Sequence, residues 1–254
     1  MNKIATLIAC HNRKSKTLAC LKSLYEAKSN YNKELSVDVF LTDDGSIDDT
    51  GDAVRNEFPS VKILKGNGNL YWAGGMRNSW NEALKEDYDG YLLVNDDTFL
   101  LKNVFEEIYN TEEHSIQNYK KKGIYIGSTK DEETDHLTYG GAILKSKFFL
   151  TYEKLTPYGK PQSCHLGNAN IMFVSSEVVK KIGILYKEYQ HGVADYDYTL
   201  RAKEAGIPVL VTPNFAGICS NDNKNKYAIF NKLSLNNRIK YLYHPTGLAF
   251  KDNL

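Results

Sequence analysis

The chain has 254 residues, 42% of them hydrophobic and 25% charged, with 18 glycines and 6 prolines, which excludes a disordered, collagen-like or low-complexity polymer. Its 32 Lys and Arg against 31 Asp and Glu leave a formal charge of +1, so no overall basic field draws it to nucleic acid, and any polyanion must be met locally. The apolar run Ile4–Cys10 is too short for a secretory signal or a transmembrane span, which takes roughly 20 residues, and the expectation is a soluble, cytoplasmic protein.

In chain order, Ile4–Cys10 reads as a buried strand and Ser15–Lys28 as a helix with apolar Leu18, Leu21, Leu24 and Tyr25. Val37–Thr42 reads as a second strand, followed by a helix over Thr50–Phe58 and a strand Val61–Lys65. A Gly-rich loop, a helix near Met76–Lys85 and a strand Tyr91–Val94 come next. Strand–helix–strand units of this length predict a mostly parallel sheet with helices on both faces and ligands at the carboxyl ends of its strands.

The second half is less regular. Lys120–Lys122 with Asp131–Asp135 reads as an exposed charged loop, and Gly140-Gly141 and Pro157–Pro161 as turns between short strands. Asn170–Val174 is a predicted strand, Ser175–Ile182 a helix stopped by Gly183, Tyr196–Ala205 a helix stopped by Gly206, and Val209–Thr212 a strand closed by Pro213. The basic, aromatic-interleaved segment Lys224–Lys240 reads as a C-terminal helix that packs on the domain or touches anionic lipid or a partner helix. Cys10, Cys20, Cys164 and Cys219 show no CxxC pair or zinc spacing and read as reduced thiols.

Three acidic constellations carry chemistry. Asp43-Asp44-Gly45-Ser46 sits at the end of the second strand, with Ser46 and Asp49 spaced as a capping box for the next helix. Asn95-Asp96-Asp97 ends the strand Tyr91–Val94 in the same way. Neighbouring carboxylates repel unless a cation holds them, and hard oxygen ligands with phosphate suit Mg²⁺ or Mn²⁺. Asp195 opens a helix, where an N-cap or a general base is the reading, while Asp197 and Arg201 are spaced to pair. Between the first two lies Gly66–Gly75, glycine-dense but matching neither a dinucleotide fingerprint nor a phosphate loop.

The ordered set Ile8-Ala9-Cys10-His11-Asn12-Arg13, Asp43-Asp44-Gly45-Ser46, Gly68-Asn69 through Gly74-Gly75-Met76-Arg77-Asn78, Asn95-Asp96-Asp97 and Asp195-x-Asp197-x-x-x-Arg201 resembles family 2 glycosyltransferases of the GT-A fold. Within them it looks most like bacterial rhamnosyltransferase-type enzymes of surface polysaccharide synthesis. The resemblance implies one GT-A-type α/β domain over 1–254. Its parts are a Rossmann-like nucleotide-sugar half at 1–100, an acceptor half at 101–222 and a basic-aromatic helical segment at 223–254.

It also implies a UDP- or dTDP-sugar donor, a glycan or lipid-linked glycan acceptor and an Mg²⁺ or Mn²⁺ ion, and the basic C-terminal segment adds the expectation of a peripheral contact with the inner membrane surface. Ala9, Cys10 and Asn12 would line the nucleotide pocket with Gly68, Asn69 and Asn78, Asp44 would hold base or ribose, and Asp96 ribose or sugar. Asp97 would bind the metal, and Asp195 would be the base of an inverting transfer. Asn95 stands where the common Asp-x-Asp motif has its first carboxylate, and Ala194 where Glu often precedes the base. A nucleotidyltransferase and a non-catalytic sugar-nucleotide-binding scaffold are the alternatives.

Overall fold

The computed structural model describes residues 1–146, 151–220 and 230–245. In chain order the elements are β1 (Lys3–Cys10), α1 (Lys14–Asn30), β2 (Ser36–Asp43), α2 (Thr50–Glu57), β3 (Lys62–Lys65), α3 (Tyr71–Ala83), β4 (Gly90–Val94), β5 (Phe99–Leu100), α4 (Val104–Tyr119) and β6 (Ile124–Lys130). There follow β7 (Gly141–Ser146), β8 (Thr151–Lys154), β9 (Gln162–Ser163), β10 (Leu166–Gly167), β11 (Ile171–Ser175), α5 (Ser176–Ile182), α6 (Ala194–Glu204), β12 (Val209–Ile218) and α7 (Leu235–Tyr243).

The main sheet runs β3-β2-β1-β4-β11-β6-β12-β5, with β9 beside β12. Its first four strands pair in parallel, as do β6 and β12, and β11 enters antiparallel between β4 and β6. This bears out the expected α/β domain. A second sheet, β10-β7-β8, stands apart.

The strands alternate because helices cover both faces. Ala5 and Leu7 of β1, Tyr91 and Leu93 of β4, and Met172 and Val174 of β11 join one core with Met76 and Trp80 of α3 and Tyr198 of α6. Ile4 and Ile8, Leu92 and Val94, and Ile171 and Phe173 face the other, against Leu21 and Leu24 of α1 and Phe105 and Ile108 of α4.

The strand order turns back at β1: β2 and β3 lie on one side with α1 and α2 on one face of the sheet, while β4 lies on the other side, reached through α3 on the opposite face. Such a switch point opens a crevice beyond the strand carboxyl ends. Cys10 is level with Asp43, and Asp43 with Lys65, so the segments that follow β1, β2 and β3 all leave at that rim.

Four local expectations are corrected. α3 begins at Tyr71, so Gly74 and Gly75 lie in a helix; a Cβ on Gly75 would stand 2.7 Å from the Ala9 Cβ, and that close approach to β1 outweighs glycine's poor helix propensity. The buried strand β6 separates Lys120–Lys122 from Asp131–Asp135, which are therefore not one loop. β12 continues through Pro213 because the ladder shifts register between Val211 and Phe215, a bulge where the missing N–H goes unused. The capping box does not form: Asp49 is in the left-handed region at φ 60°, and Asp48 instead accepts from the Thr50 and Lys14 amides at 3.2 and 3.0 Å.

The four cysteines are free, and all are buried. Residues 224–229 of the basic segment lie outside the described residues. α7 buries none of its own residues. Among the described residues no helix is long and apolar enough to cross a membrane.

Candidate functional site

Beyond the switch point lies a cleft of about 680 Å³. Ala9, Cys10, Asp44, Gly68, Asp96, Asp97 and Asp195 all line it, so residues up to 186 positions apart in sequence meet at one site. Asn12, Asn69 and Asn78, expected in the pocket, do not line it. The Asn12 side chain accepts from the Ile47 amide at 2.8 Å, Asn69 is exposed and bonded to Asn67, and Asn78 reaches back to Thr42 Oγ1 at 3.3 Å.

The loop after β1 is tied to the loop after β2. Asn12 takes φ 52°, its amide donates to Ser46 Oγ at 3.0 Å, and His11 Nδ1 donates to the Asp44 carbonyl at 2.7 Å. Ser46 N in turn donates to Asp43 Oδ1 at 2.9 Å, a local turn that accounts for the first carboxylate of the pair.

Asp44 is 5% exposed and is committed to backbone. One oxygen accepts from Gly68 N at 2.8 Å; the other accepts from Leu70 N and Tyr71 N, both at 2.9 Å. A carboxylate at the first amides of α3 satisfies donors the helix leaves unpaired and sits well in its dipole. Asp44 thus shapes the Gly-rich rim of the cleft.

After β4, Asn95 Oδ1 accepts from the Trp72 indole at 2.7 Å, and the Asn95 carbonyl accepts from Thr98 N at 3.0 Å. Those bonds turn the chain so that Asp96 and Asp97 enter the cleft together. Arg13 Nη1 lies 2.6 Å from Asp97 Oδ2 and 3.3 Å from Asp96 Oδ1. Asp96 is 6% exposed, and its Oδ2 is buried with no hydrogen-bond partner. Burial, opposed by Arg13 and reinforced by the Asp97 charge, pushes the Asp96 carboxyl up to about 7. Cys219 Sγ, at the end of the late strand, approaches Asp97 Oδ1 at 3.8 Å.

These residues fit a divalent cation of a particular kind. Among the described residues no group of three His, Cys, Asp or Glu could hold a metal by itself. Mg²⁺ and Mn²⁺ sites, however, commonly need only one or two carboxylates, with substrate phosphates and water completing the shell. Asp97 with Asp96 beside it, one oxygen still unsatisfied, supplies that much.

Asp195 stands across the cleft in the first turn of α6, after Val193 at φ 51°, and so is not the cap itself. Its Oδ2 accepts from Ala169 N at 3.1 Å and its Oδ1 from Tyr196 N at 2.9 Å. Burial raises its pKa, and the two amides pull it down. Asp197 pairs with Arg201 at 2.8 Å, as its spacing predicts, and Arg201 donates to the Ile182 and Ile184 carbonyls; that pair braces the helix.

Two connections join the halves. Arg77 Nη1 donates to the Tyr186 and Tyr189 carbonyls, each at 2.7 Å, and Ala73 N donates to the Gln190 carbonyl at 3.0 Å. The approach to α6 is therefore fixed by α3. Beside Asp195, Asn168 donates to the Tyr196 hydroxyl at 3.3 Å, and the Tyr152 and Tyr196 rings meet edge to face at 6.2 Å. Tyr139, His191 and His244 also line the cleft, and the His244 ring meets Tyr71 edge to face at 6.0 Å.

The model of glycosyl transferase family 2 matches residues 6–174. The chain belongs to glycosyl transferase family 2. The family-2 match runs from β1 to β11 and so includes Asp44, the Gly-rich segment, Asp96 and Asp97. A comparison with curated proteins gives no match.

Among solved structures the family-2 chain is similar to the mannosyltransferase PcManGT from Pyrobaculum calidifontis in complex with GDP-Man and Mn²⁺, with TM-score 0.58 and 12% identity over 89% of this chain and 59% of that one. It is also similar to S. aureus TarS 1–349 in complex with UDP-GlcNAc, with TM-score 0.60 and 12% identity over 85% and 58%. A second S. aureus TarS structure gives TM-score 0.57 and 17% identity over 98% and 41%. At these identities the likeness shows the fold, and the chain spans between two fifths and three fifths of those proteins.

Sequence reasoning assigned no role at the site to Arg13, Tyr196, Cys219 or His244, all of which line the cleft. Arg13 and His244 reach the site from 83 residues before Asp96 and 49 after Asp195; Arg13 falls in the Ile8–Arg13 motif, which does not name the carboxylates it meets, and no local pattern marks His244.

Proposed function

We propose that this chain is an inverting glycosyltransferase that moves a sugar from a UDP- or dTDP-sugar to a hydroxyl of a glycan or lipid-linked glycan in the cytoplasm. The observation that carries the reading is the pairing, in one cleft, of a buried carboxylate cluster at the end of β4 with a second carboxylate, Asp195, on the opposite wall. Family membership supports the reaction class. The nucleotide sugars held by PcManGT and TarS support a diphosphate-linked donor.

Ala9, Cys10, Asp44 and Gly68 form the floor and rim for the nucleotide, which the backbone bonds of Asp44 keep rigid. Asp97, with Asp96 beside it, would hold an Mg²⁺ or Mn²⁺ ion, which when bound supplies positive charge to the diphosphate. Asp195 takes the proton of the acceptor hydroxyl as its oxygen bonds the anomeric carbon, and the bond from that carbon to the diphosphate oxygen breaks on the opposite face. A carboxylate raised by burial is the stronger base for an alcohol proton.

The test is transfer from UDP- and dTDP-sugars with Mn²⁺ across a panel of glycan acceptors, followed by nucleoside diphosphate release. Acceptor-dependent release supports the reading. Nucleotide binding without release across the panel would favour a sugar-nucleotide-binding scaffold.

A further inference from the structure

Arg13 stands at the N-terminal boundary of α1, and one of its nitrogens bridges Asp96 and Asp97. The contact is of an exchangeable kind. A single Nη1 serves both carboxylates, rather than the two-pronged fork that makes arginine–carboxylate pairs tight. The Arg13 side chain is 43% exposed, against 14% for Asp97 and 8% for Asp96, so solvent screens its half of the pair and the net attraction is modest. The single charge of Arg13 is divided between two carboxylates, with Lys16 a weaker electrostatic partner of Asp96, and Asp96 Oδ2 remains buried and unpartnered. The guanidinium occupies the position between the carboxylates without exhausting their demand for positive charge.

We propose that Arg13 is an internal counter-ion that holds Asp96 and Asp97 in the donor-free protein and is displaced when a divalent cation takes them, becoming available to the donor diphosphate on the same side of the cleft. The inference rests on the glycosyltransferase reading of the cleft. Its consequence is regulatory. Metal alone must compete with Arg13, whereas metal with a diphosphate offers Arg13 a new anion, so cation and nucleotide bind cooperatively.

The experiment is Mn²⁺ uptake by the full chain, read from the loss of the free-ion electron paramagnetic resonance signal, with and without UDP or dTDP. Wild type, Arg13→Gln and Arg13→Lys are compared after circular dichroism has verified folding. Arg13→Gln is expected to bind Mn²⁺ alone about tenfold more tightly than wild type, with most of the nucleotide enhancement gone, and Arg13→Lys to stay near wild type. Nucleotide-dependent Mn²⁺ uptake by wild type, with unchanged or weaker uptake of Mn²⁺ alone by Arg13→Gln, would overturn the counter-ion role and leave the glycosyltransferase reading intact. No uptake by wild type under either condition would overturn both the counter-ion role and the metal role of Asp97.

Discussion

The Trp72 indole N–H donates to Asn95 Oδ1 at 2.7 Å, so the first residue of the Asn95-Asp96-Asp97 turn is held by the second residue of α3. An amide oxygen accepts that bond without adding a third charge beside Asp96 and Asp97, which gives the Asn in place of the common first carboxylate a structural reason. Trp72→Phe keeps most of the ring and strands the Asn95 oxygen. The expected cost is about 1–3 kcal/mol, read as a lower denaturation midpoint with an unchanged slope; an unchanged midpoint would contradict the anchoring role.

Asp44→Ala releases the Gly68, Leu70 and Tyr71 amides together. Roughly 2–3 kcal/mol of stability is expected to be lost, along with faster hydrogen exchange confined to 66–72. Exchange that stays slow there would show that the rim is held by other contacts.

Asp96 gives a pH signature in the metal-free protein. Its folded value of about 7 lies above the ordinary carboxylate value of about 4. The folded state therefore binds the proton more tightly, and the stabilisation is full below about pH 4 and lost as pH rises through 7. Asp96→Asn has no such titration. Relative to wild type its Tm should gain roughly 5 °C between pH 5 and pH 8, and a difference independent of pH would argue against the buried, raised carboxyl.

The first half was legible because buried parallel strands read as apolar runs, and at β2 and β4 the switch from apolar to acidic residues marks where the strand leaves the sheet. The second half hid its elements. In α4 the buried face passes from Val104, Phe105 and Ile108 to Glu107, Thr111, Glu112 and Ser115, so the apolar period fades midway along the helix. Glu107 is buried because it accepts from Asn214 N and Nδ2, both at 2.9 Å, and Glu112 because the amino terminus and Lys122 lie near it. These are contacts of distant segments that no window reveals. The same holds for Arg13, whose partners lie 83 and 84 residues away.

Asp195→Asn keeps an acceptor oxygen for Ala169 N or Tyr196 N but cannot take a proton. Transfer is expected to fall by about 10²–10⁴, with nucleotide affinity nearly unchanged. Since burial raises this carboxyl, the wild-type rate should fall on acidification along a limb centred above the ordinary value of about 4. An active Asp195→Asn protein would remove it from the role of base.

The most direct measurement is titration of UDP and dTDP, with and without Mn²⁺, into wild type, Asp97→Ala and Asp195→Asn. Mn²⁺-dependent binding is expected to be alike in wild type and Asp195→Asn and lost in Asp97→Ala. Curves for Asp97→Ala that overlay those of wild type would contradict the metal role of Asp97.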